Sequence, residues 1–348
     1  MKHFKFLKNI FAMAFILSGI WMLFTWSTIG IFSLETNKGI PVAVRNRVCS
    51  VNMNDERPHI TDNASLKMIY YITPTYPRPE QVPELTRLAH TLMHVPRLHW
   101  IVADDQPVCS DQVLSVLKKT GLQYTHISSP KPFIYKSSNF PRGVSNRRAA
   151  LSWLRDNVSD GVLYFGDDDN TVDLQLFEEI RSTNKVSMFP VGLIGDYGVS
   201  APIVKDGKVV GFFDSWPGAR TFPVDMAGFA VNVDFLKDTA NMPFIAGHEE
   251  DRFLVSLDLE LNDIEPLASN CTKILVWHTK TVKHKKPTLK INIKKLDSND
   301  KYRNFANLLK ETNKLGMADL DPDNGVKSFI TRNRKTYESL ADLYKLIL

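Results

Sequence analysis

The chain has little cysteine, three residues in 348. That excludes a small scaffold stapled by disulfides and leaves a globular domain with its own apolar core. Cys49 lies in a polar stretch where an intermolecular disulfide is one outcome, while Cys109 and Cys271 either pair or stay free. Net charge is low as well, +5 at pH 7, and no stripe of interleaved aromatic and basic residues runs along the chain. A nucleic-acid partner is therefore not expected. The most telling absence is local. No charged residue occurs from Asn9 to Leu34, and Ile10–Phe32 is mostly Phe, Ile, Leu, Met and Trp. About 20 such residues span a bilayer. Lys2, Lys5 and Lys8 precede the segment. The positive-inside rule then places residues 1–9 in the cytoplasm and everything beyond 32 in the lumen or outside. A small-x-small cleavage site is missing too, which favours a signal anchor over a cleaved signal peptide.

Residues 33–65 are polar, rich in Asn and Arg and without periodicity, so they read as a stem. Asn63-Ala-Ser, Asn157-Val-Ser and Asn270-Cys-Thr are glycosylation sequons on the luminal side. From Lys67 to Thr279, apolar runs alternate with helical patterns. Runs at 68–72, 98–103, 122–127 and 162–165 predict strands; 84–93, 112–119 and 144–156 predict helices. This alternation predicts an α/β fold with a mostly parallel sheet and helices on both faces. Residues 204–212 predict a hairpin around Asp206-Gly207, and 274–277 a late strand. The tail from His284 is Lys-rich and polar, then amphipathic near Tyr337–Leu348; it predicts a solvated or accessory segment.

Gly161-Val-Leu-Tyr-Phe-Gly166 runs into Asp167-Asp168-Asp169-Asn170. A buried strand would thus deliver three carboxylates to the sheet edge where α/β folds bind ligands. Adjacent carboxylates repel, and hard oxygen ligands suit Mg²⁺ or Mn²⁺, hence a diphosphate-bearing substrate. The competing reading makes Asp169 or Asn170 the cap of a helix over 173–181. Several stretches converge on the same edge. Thr73-Pro-Thr-Tyr-Pro-Arg-Pro79 ends the first strand, and Tyr76 there could stack on a base or be structural. Asp104-Asp105 ends the second strand. Arg142 and Arg147 flank a helix start, where cations and free N–H groups can hold an anion or simply lie on the surface. Glu249, Glu250 and Asp251 either favour a helix N-terminus or supply a general base. His278 ends a strand, a place more often structural than functional.

Together these motifs resemble the membrane-anchored β-1,3-glucuronosyltransferases of the animal secretory pathway. The resemblance rests on Ile72-Thr-Pro-Thr-Tyr76, Pro96-Arg-Leu-His-Trp100, Pro141-Arg-Gly-Val144, Tyr164-Phe-Gly-Asp-Asp-Asp-Asn170 and Phe189-Pro-Val-Gly192. Phe222-Pro-Val-Asp-Met-Ala-Gly-Phe-Ala230, Asn270-Cys-Thr and Val276-Trp-His-Thr279 complete it, so that 67–280 are covered in order. It implies a GT-A glycosyltransferase fold behind one transmembrane helix, in a type II Golgi membrane protein with a luminal catalytic domain. The nucleotide-sugar half would be 66–170, the acceptor half 171–283, and 284–348 an extension without an assigned role. The donor would be UDP-glucuronate, used with Mn²⁺, and the acceptor a galactose-terminated glycan on a glycoprotein or proteoglycan linker. A homodimer is implied as well.

Residue by residue, the resemblance puts Pro74, Thr75, Tyr76 and Asp105 at the uridine, and Arg142, Arg147 and His278 on the donor. Asp169 would ligate Mn²⁺, Asp168 would hold the ribose and Asp167 would orient the sugar. Glu250 would be the catalytic base of an inverting transfer. Trp216 would stack on galactose, with Arg220, Asp225 and Asn170 on its hydroxyls. There are three departures. Ser200 stands where the family commonly has Glu, Lys280 replaces the usual Arg after His-Thr, and the tail after Thr281 does not match. All three concern the acceptor. Other readings are a related transferase with an altered acceptor, a catalytically idle membrane-anchored sugar-binding protein, and a metal hydrolase, which leaves the arginines unexplained.

Overall fold

The computed structural model describes residues 46–60, 63–135, 141–216, 218–298, 302–332 and 335–338. The expected anchor at 10–32, the tail before it, the first part of the stem and the end of the amphipathic stretch lie outside these. Among the described residues no helix is long and apolar enough to cross a membrane.

Eight strands form the main sheet: β1 (Arg47–Asn52), β2 (Ile69–Thr75), β3 (Leu98–Asp104), β4 (Gln123–Ser128), β5 (Val162–Phe165), and three later ones. Those are β7 (Val186–Met188), β11 (Phe229–Asn232) and β12 (Ile264–Pro266), and the order is β1-β4-β3-β2-β5-β11-β7-β12. β4, β3, β2 and β5 run parallel, and β2 and β3 are buried along their whole length. Full burial explains why they read as continuous apolar runs rather than alternating ones. Along β2, Tyr70 and Ile72 enter one core while Ile69 and Tyr71 enter the other. Helices α1 (Gln81–Leu92) and α2 (Asp111–Thr120) cover the Tyr71 face with Leu85, Leu88 and Leu117. Helix α3 (Val144–Asn157) covers the opposite face with Ala150, Leu151 and Leu154. α2 starts where the Val113 N–H donates to Ser110 Oγ (3.3 Å) and stops at Gly121, whose φ of +68° suits glycine.

A second sheet carries the other half, in the order β10-β9-β8-β13-β6. Its strands are β6 (Thr171–Val172), β8 (Val191–Gly192), β9 (Val199–Lys205), β10 (Lys208–Phe213) and β13 (Val276–Trp277). The hairpin turns at Asp206-Gly207, both at positive φ as expected of an Asp-Gly turn. β13 is antiparallel to β6, with Trp277 opposite Thr171, which carries His278 to the level of Asn170. The next helix, α4 (Leu174–Ile180), is capped by Asp173, whose carboxylate accepts the Gln175 N–H at 2.8 Å. Asp169 and Asn170 are therefore not helix caps.

Two expectations are corrected and a third is narrowed. Part of the polar stem is β1, an antiparallel edge strand on β4; all its residues are exposed or half-exposed, so no buried face marks it in the sequence. A soluble form that keeps this strand must begin before Arg47. Cys49 pairs within the chain, with Cys109, at a Cα–Cα distance of 5.6 Å, and Cys271 is the free thiol. Closing a loop of this sequence separation, 60 residues, restricts the unfolded chain. Replacing both cysteines by serine should lower unfolding free energy by about 2–4 kcal/mol in a denaturant titration. Finally, of the two alternatives for the tail the structure excludes the solvated one and leaves the accessory one: α5 (Glu249–Val255) and the short turn α6 (Leu267–Cys271) precede a small folded unit. It holds β14 (Thr288–Lys290), α7 (Ile293–Asp297), α8 (Arg303–Lys314), β15 (Asp319–Asp321) and β16 (Val326–Lys327) around Ile291, Leu296, Ala306 and Leu309.

Candidate active site

The C-terminal ends of β2, β3 and β5, the start of α3 and the segment after β13 enclose a cavity of about 630 Å³. Pro74, Thr75, Tyr76, Asp105, Arg142, Arg147, Asp167, Asp168, Asp169 and His278 all line it. The ten residues expected around the donor and metal thus meet in one place.

The acid triplet is divided by its partners. Asp167 is ion-paired with Arg147 of α3. Asp168 receives two bonds from the Arg78 guanidinium (2.7 and 2.8 Å) and one from Thr75 Oγ1 (2.7 Å). Such a two-pronged contact fixes the carboxylate plane. Asp169 has no ion pair among the described residues, and burial, reinforced by the charges of Asp168 and Asp167, raises its pKa. An uncompensated carboxylate in that position fits a cation that is delivered with the ligand. No cluster of three or more His, Cys, Asp or Glu among the described residues is arranged to hold a metal alone. The donor set thus suits a cation completed by phosphate oxygens and water, as for Mg²⁺-like ions.

The glycine before α3 is required by geometry. Gly143 has φ +77°, and a Cβ there would sit 2.5 Å from Arg147 Nη1 and 3.2 Å from Pro74. Both Arg78 and Arg142 lie against the Tyr76 ring, at 4.5 and 5.5 Å from its centroid. Asp105 accepts the Lys131 N–H at 2.6 Å and faces the cavity, whereas Asp104 is fully buried between the Gln81 and Gln106 amides. Burial pushes Asp104 up to about 6. Arg78 and Gln81 were not singled out from the sequence. The signal for Arg78 was present, a guanidinium fixed between two prolines at a strand end; nothing marked Gln81.

His278 Nδ1 lies 3.2 Å from Asp225 Oδ2, and that hydrogen bond, with the Asp225 and Asp167 charges, raises its pKa against burial. Asp225 also accepts the Ala227 N–H at 3.0 Å, so an acceptor hydroxyl would share it with two partners. Arg220 is bound to Asp214 (3.0 Å), which the sequence did not flag, and lies 4.8 Å over the half-exposed Trp216. Gly247 (φ +76°) abuts that indole, since a Cβ there would approach Trp216 to 2.2 Å. Gly247 thereby links Trp216 to the acids of α5. Among these, Asp251 is 1% exposed and accepts the Thr221 and Phe222 N–H groups at 2.7 and 2.9 Å. Its role is structural, and Asp251→Ala should cost about 2–4 kcal/mol of stability, read as a lowered Tm, by stranding two donors. Glu250 is different: burial pushes its carboxyl up to about 7, the Glu249 and Asp225 charges add to this, and Arg147 opposes it. Asn170 Oδ1 and Ser200 Oγ are buried with no hydrogen-bond partner among the described residues. The sequon residues Asn63, Asn157 and Asn270 are all exposed.

Residues 88–282 match the model of glycosyltransferase family 43. The chain belongs to that family. It is 50% identical over 295 residues to galactosylgalactosylxylosylprotein 3-beta-glucuronosyltransferase S of Drosophila melanogaster, covering 82% of this chain and 71% of that protein. It is 45% identical over 240 residues to galactosylgalactosylxylosylprotein 3-beta-glucuronosyltransferase 2 of Mus musculus, covering 66% of this chain and 74% of that one. Among solved structures, S. aureus TarS 1-349 aligns at a TM-score of 0.41 and 18% identity, over 61% of this chain and 60% of that one. The α/β architecture of this family 43 chain is GT-A-like: a mixed eight-stranded sheet built on the parallel strands β4, β3, β2 and β5, together with a smaller mixed sheet.

Proposed function

We propose that the protein is an inverting glycosyltransferase that moves glucuronate from UDP-glucuronate to the 3-hydroxyl of a terminal galactose on a glycoprotein or proteoglycan linker. The observation that carries this reading is the division of the acid triplet, with two aspartates paired to arginines and Asp169 unpaired in the same cavity. The names of the similar proteins support the sugar and the acceptor class.

In the proposed reaction Tyr76 and Asp105 receive the uridine, and Asp168, fixed by Arg78, offers its remaining lone pairs to the ribose. Arg142 and His278 meet the diphosphate, while Arg147 and Asp167 orient the sugar. A divalent cation such as Mn²⁺, held through Asp169, would supply charge that stabilises the departing diphosphate. Glu250 takes the proton from the acceptor hydroxyl. That oxygen attacks the anomeric carbon from the face opposite UDP, the bond to the diphosphate breaks, and the α-linked donor yields a β-linked product. A carboxyl held near neutrality is suited to this proton transfer and has no use in an idle sugar-binding protein. Trp216 would stack on the galactose, flanked by Arg220, Asp225 and Asn170. The same proposal includes a type II Golgi membrane anchor at 10–32, a luminal catalytic domain, a homodimer and glycans at the three sequons. The Cys49–Cys109 disulfide supports an oxidising compartment.

The test is to incubate the detergent-solubilised full chain with labelled UDP-glucuronate, Mn²⁺ and a panel of galactosides. Mn²⁺-dependent formation of a β-1,3-glucuronide is expected. Binding of UDP without transfer to any acceptor would overturn the reading.

A further inference from the structure

One wall of the cavity comes from neither the sheet nor its helices. It is the strap that follows β13, whose Lys280, Thr281 and Lys283 line the cavity beside Asp169. The strap is tied at both ends. At its start Thr279 Oγ1 donates to the Asp169 carbonyl, and the Thr281 N–H favours the charged Asp169 carboxylate. At its end the His284 N–H donates to Glu80 Oε1, and His284 Nδ1 lies 3.0 Å from the same oxygen. Glu80 is the residue preceding α1, 6% exposed, and no other ion pair reaches it among the described residues. A buried carboxylate is out of place in a cavity that takes a doubly charged diphosphate unless it has a separate task. Among the described residues its carboxylate accepts from its own N–H and from His284, whose side chain is otherwise 76% exposed, so its contacts show the holding of His284. Meanwhile Lys280 and Lys283 make no ion pair among the described residues, although both line the cavity.

We infer that the Glu80–His284 clasp pins the strap so that Lys283, with Lys280, presents its ammonium group to an anionic part of the nucleotide sugar. Lys283 is then a donor-binding residue, and Glu80 and His284 are positioning residues. The inference rests on the nucleotide-sugar reading of the cavity. It also explains why a tail that matches no acceptor pattern begins where it does: the small unit of β14, α7 and α8 follows directly on the clasp.

The test measures UDP and UDP-glucuronate binding to the full chain by calorimetry with Mn²⁺ present, alongside donor KM and kcat. Lys283→Ala should weaken donor binding by about 5–20-fold, less so at high salt, as loss of one charge-assisted contact predicts. Glu80→Ala should raise the donor KM to a similar degree while kcat changes by less than about twofold. Glu80→Gln, which keeps an acceptor for the His284 N–H, should fall between that variant and wild type. Limited trypsin digestion gives a readout independent of activity: UDP should protect the 280–286 lysines in wild type and fail to do so in Glu80→Ala. Lys285→Ala, whose side chain does not line the cavity, serves as a control for charge alone. Equal weakening of UDP and UDP-glucuronate by Lys283→Ala supports contact with the diphosphate; weakening of UDP-glucuronate alone supports contact with the sugar carboxylate. Unchanged binding of both, with wild type binding UDP normally, overturns the inference. Failure of wild type to bind UDP overturns the nucleotide-sugar reading instead.

Discussion

Glu250→Gln should lower kcat for glucuronate transfer by about 10²–10⁴-fold, the usual contribution of a general base, while UDP binding changes by less than about twofold. The substitution keeps the side-chain shape and removes only the ability to take a proton. The pH profile of the wild type carries the same information. Glu250 works as a base only when ionised, and burial pushes its pKa up to about 7. The limb of the wild-type kcat/KM profile set by Glu250 should therefore rise about tenfold per pH unit below pH 7 and level off near it. His278, raised by its bond to Asp225, acts in the opposite sense, so the donor-binding part of the profile should fall as pH rises through that group. Stability gives a second check. Glu250 has a higher pKa folded than its ordinary 4.5, so the native state holds the proton longer than the unfolded chain. Stability is then full below about 4.5 and is lost as pH rises through about 7. Glu250→Gln removes that loss, so it should melt higher than wild type at pH 8 and equally at pH 4.5. A fully active variant, or a wild-type profile flat from pH 5 to 8, would remove Glu250 from the mechanism.

What the sequence carried depended on how local the determinant was. β2, β3, β5 and α1 to α3 were legible because doubly buried strands and one-sided helices write their burial into consecutive residues. The triplet, Glu250 and His278 were legible as chemistry. The meeting of the triplet with Thr75 and Asp105 followed from the ends of β2, β3 and β5 sharing one sheet edge. His278 instead reaches the cavity from the second sheet, and Glu250 lies on α5, outside its lining. Pairing across long separations was not legible. β1 is half-exposed and bonds to β4 some 75 positions later, so neither its strand character nor Cys49–Cys109 left a local pattern. The split of the triplet, with Arg147 and Arg78 paired to two aspartates and no ion pair at Asp169 among the described residues, depends on side-chain reach across loops, and Asp214 beneath Arg220 is the same case. The tail left its two alternatives open, solvated or accessory, because its core is only a few residues among many lysines; a buried cluster that small does not dominate local composition.

Asp169→Ala should affect the opposite half of the reaction. Asp167 and Asp168 are already neutralised by Arg147 and Arg78, so they can keep their places when Asp169 is lost. Asp169 is the carboxylate whose charge is held in place at an electrostatic cost, because its pKa is raised by burial and by its two acidic neighbours. A bound cation would remove that cost, which makes metal and donor binding mutually dependent at this residue. Removing the side chain should weaken Mn²⁺-dependent UDP binding by about 10²-fold, on the order of 2–3 kcal/mol for one charged ligand contact. In metal-free buffer the variant should bind UDP at least as tightly as wild type, because it then lacks only a charge that repels the diphosphate. The difference between the two conditions is the diagnostic quantity. Asp251→Ala makes the contrast clear, since it removes a carboxylate of equal charge and should lower Tm without a metal-dependent component. Asp169→Asn should resemble Asp169→Ala in binding, as a neutral amide is a poor substitute for a hard anionic ligand. Should Asp169→Ala keep the full Mn²⁺-dependent gain in UDP binding that wild type shows, the metal would have to be held elsewhere and the division of the triplet would lose its functional meaning.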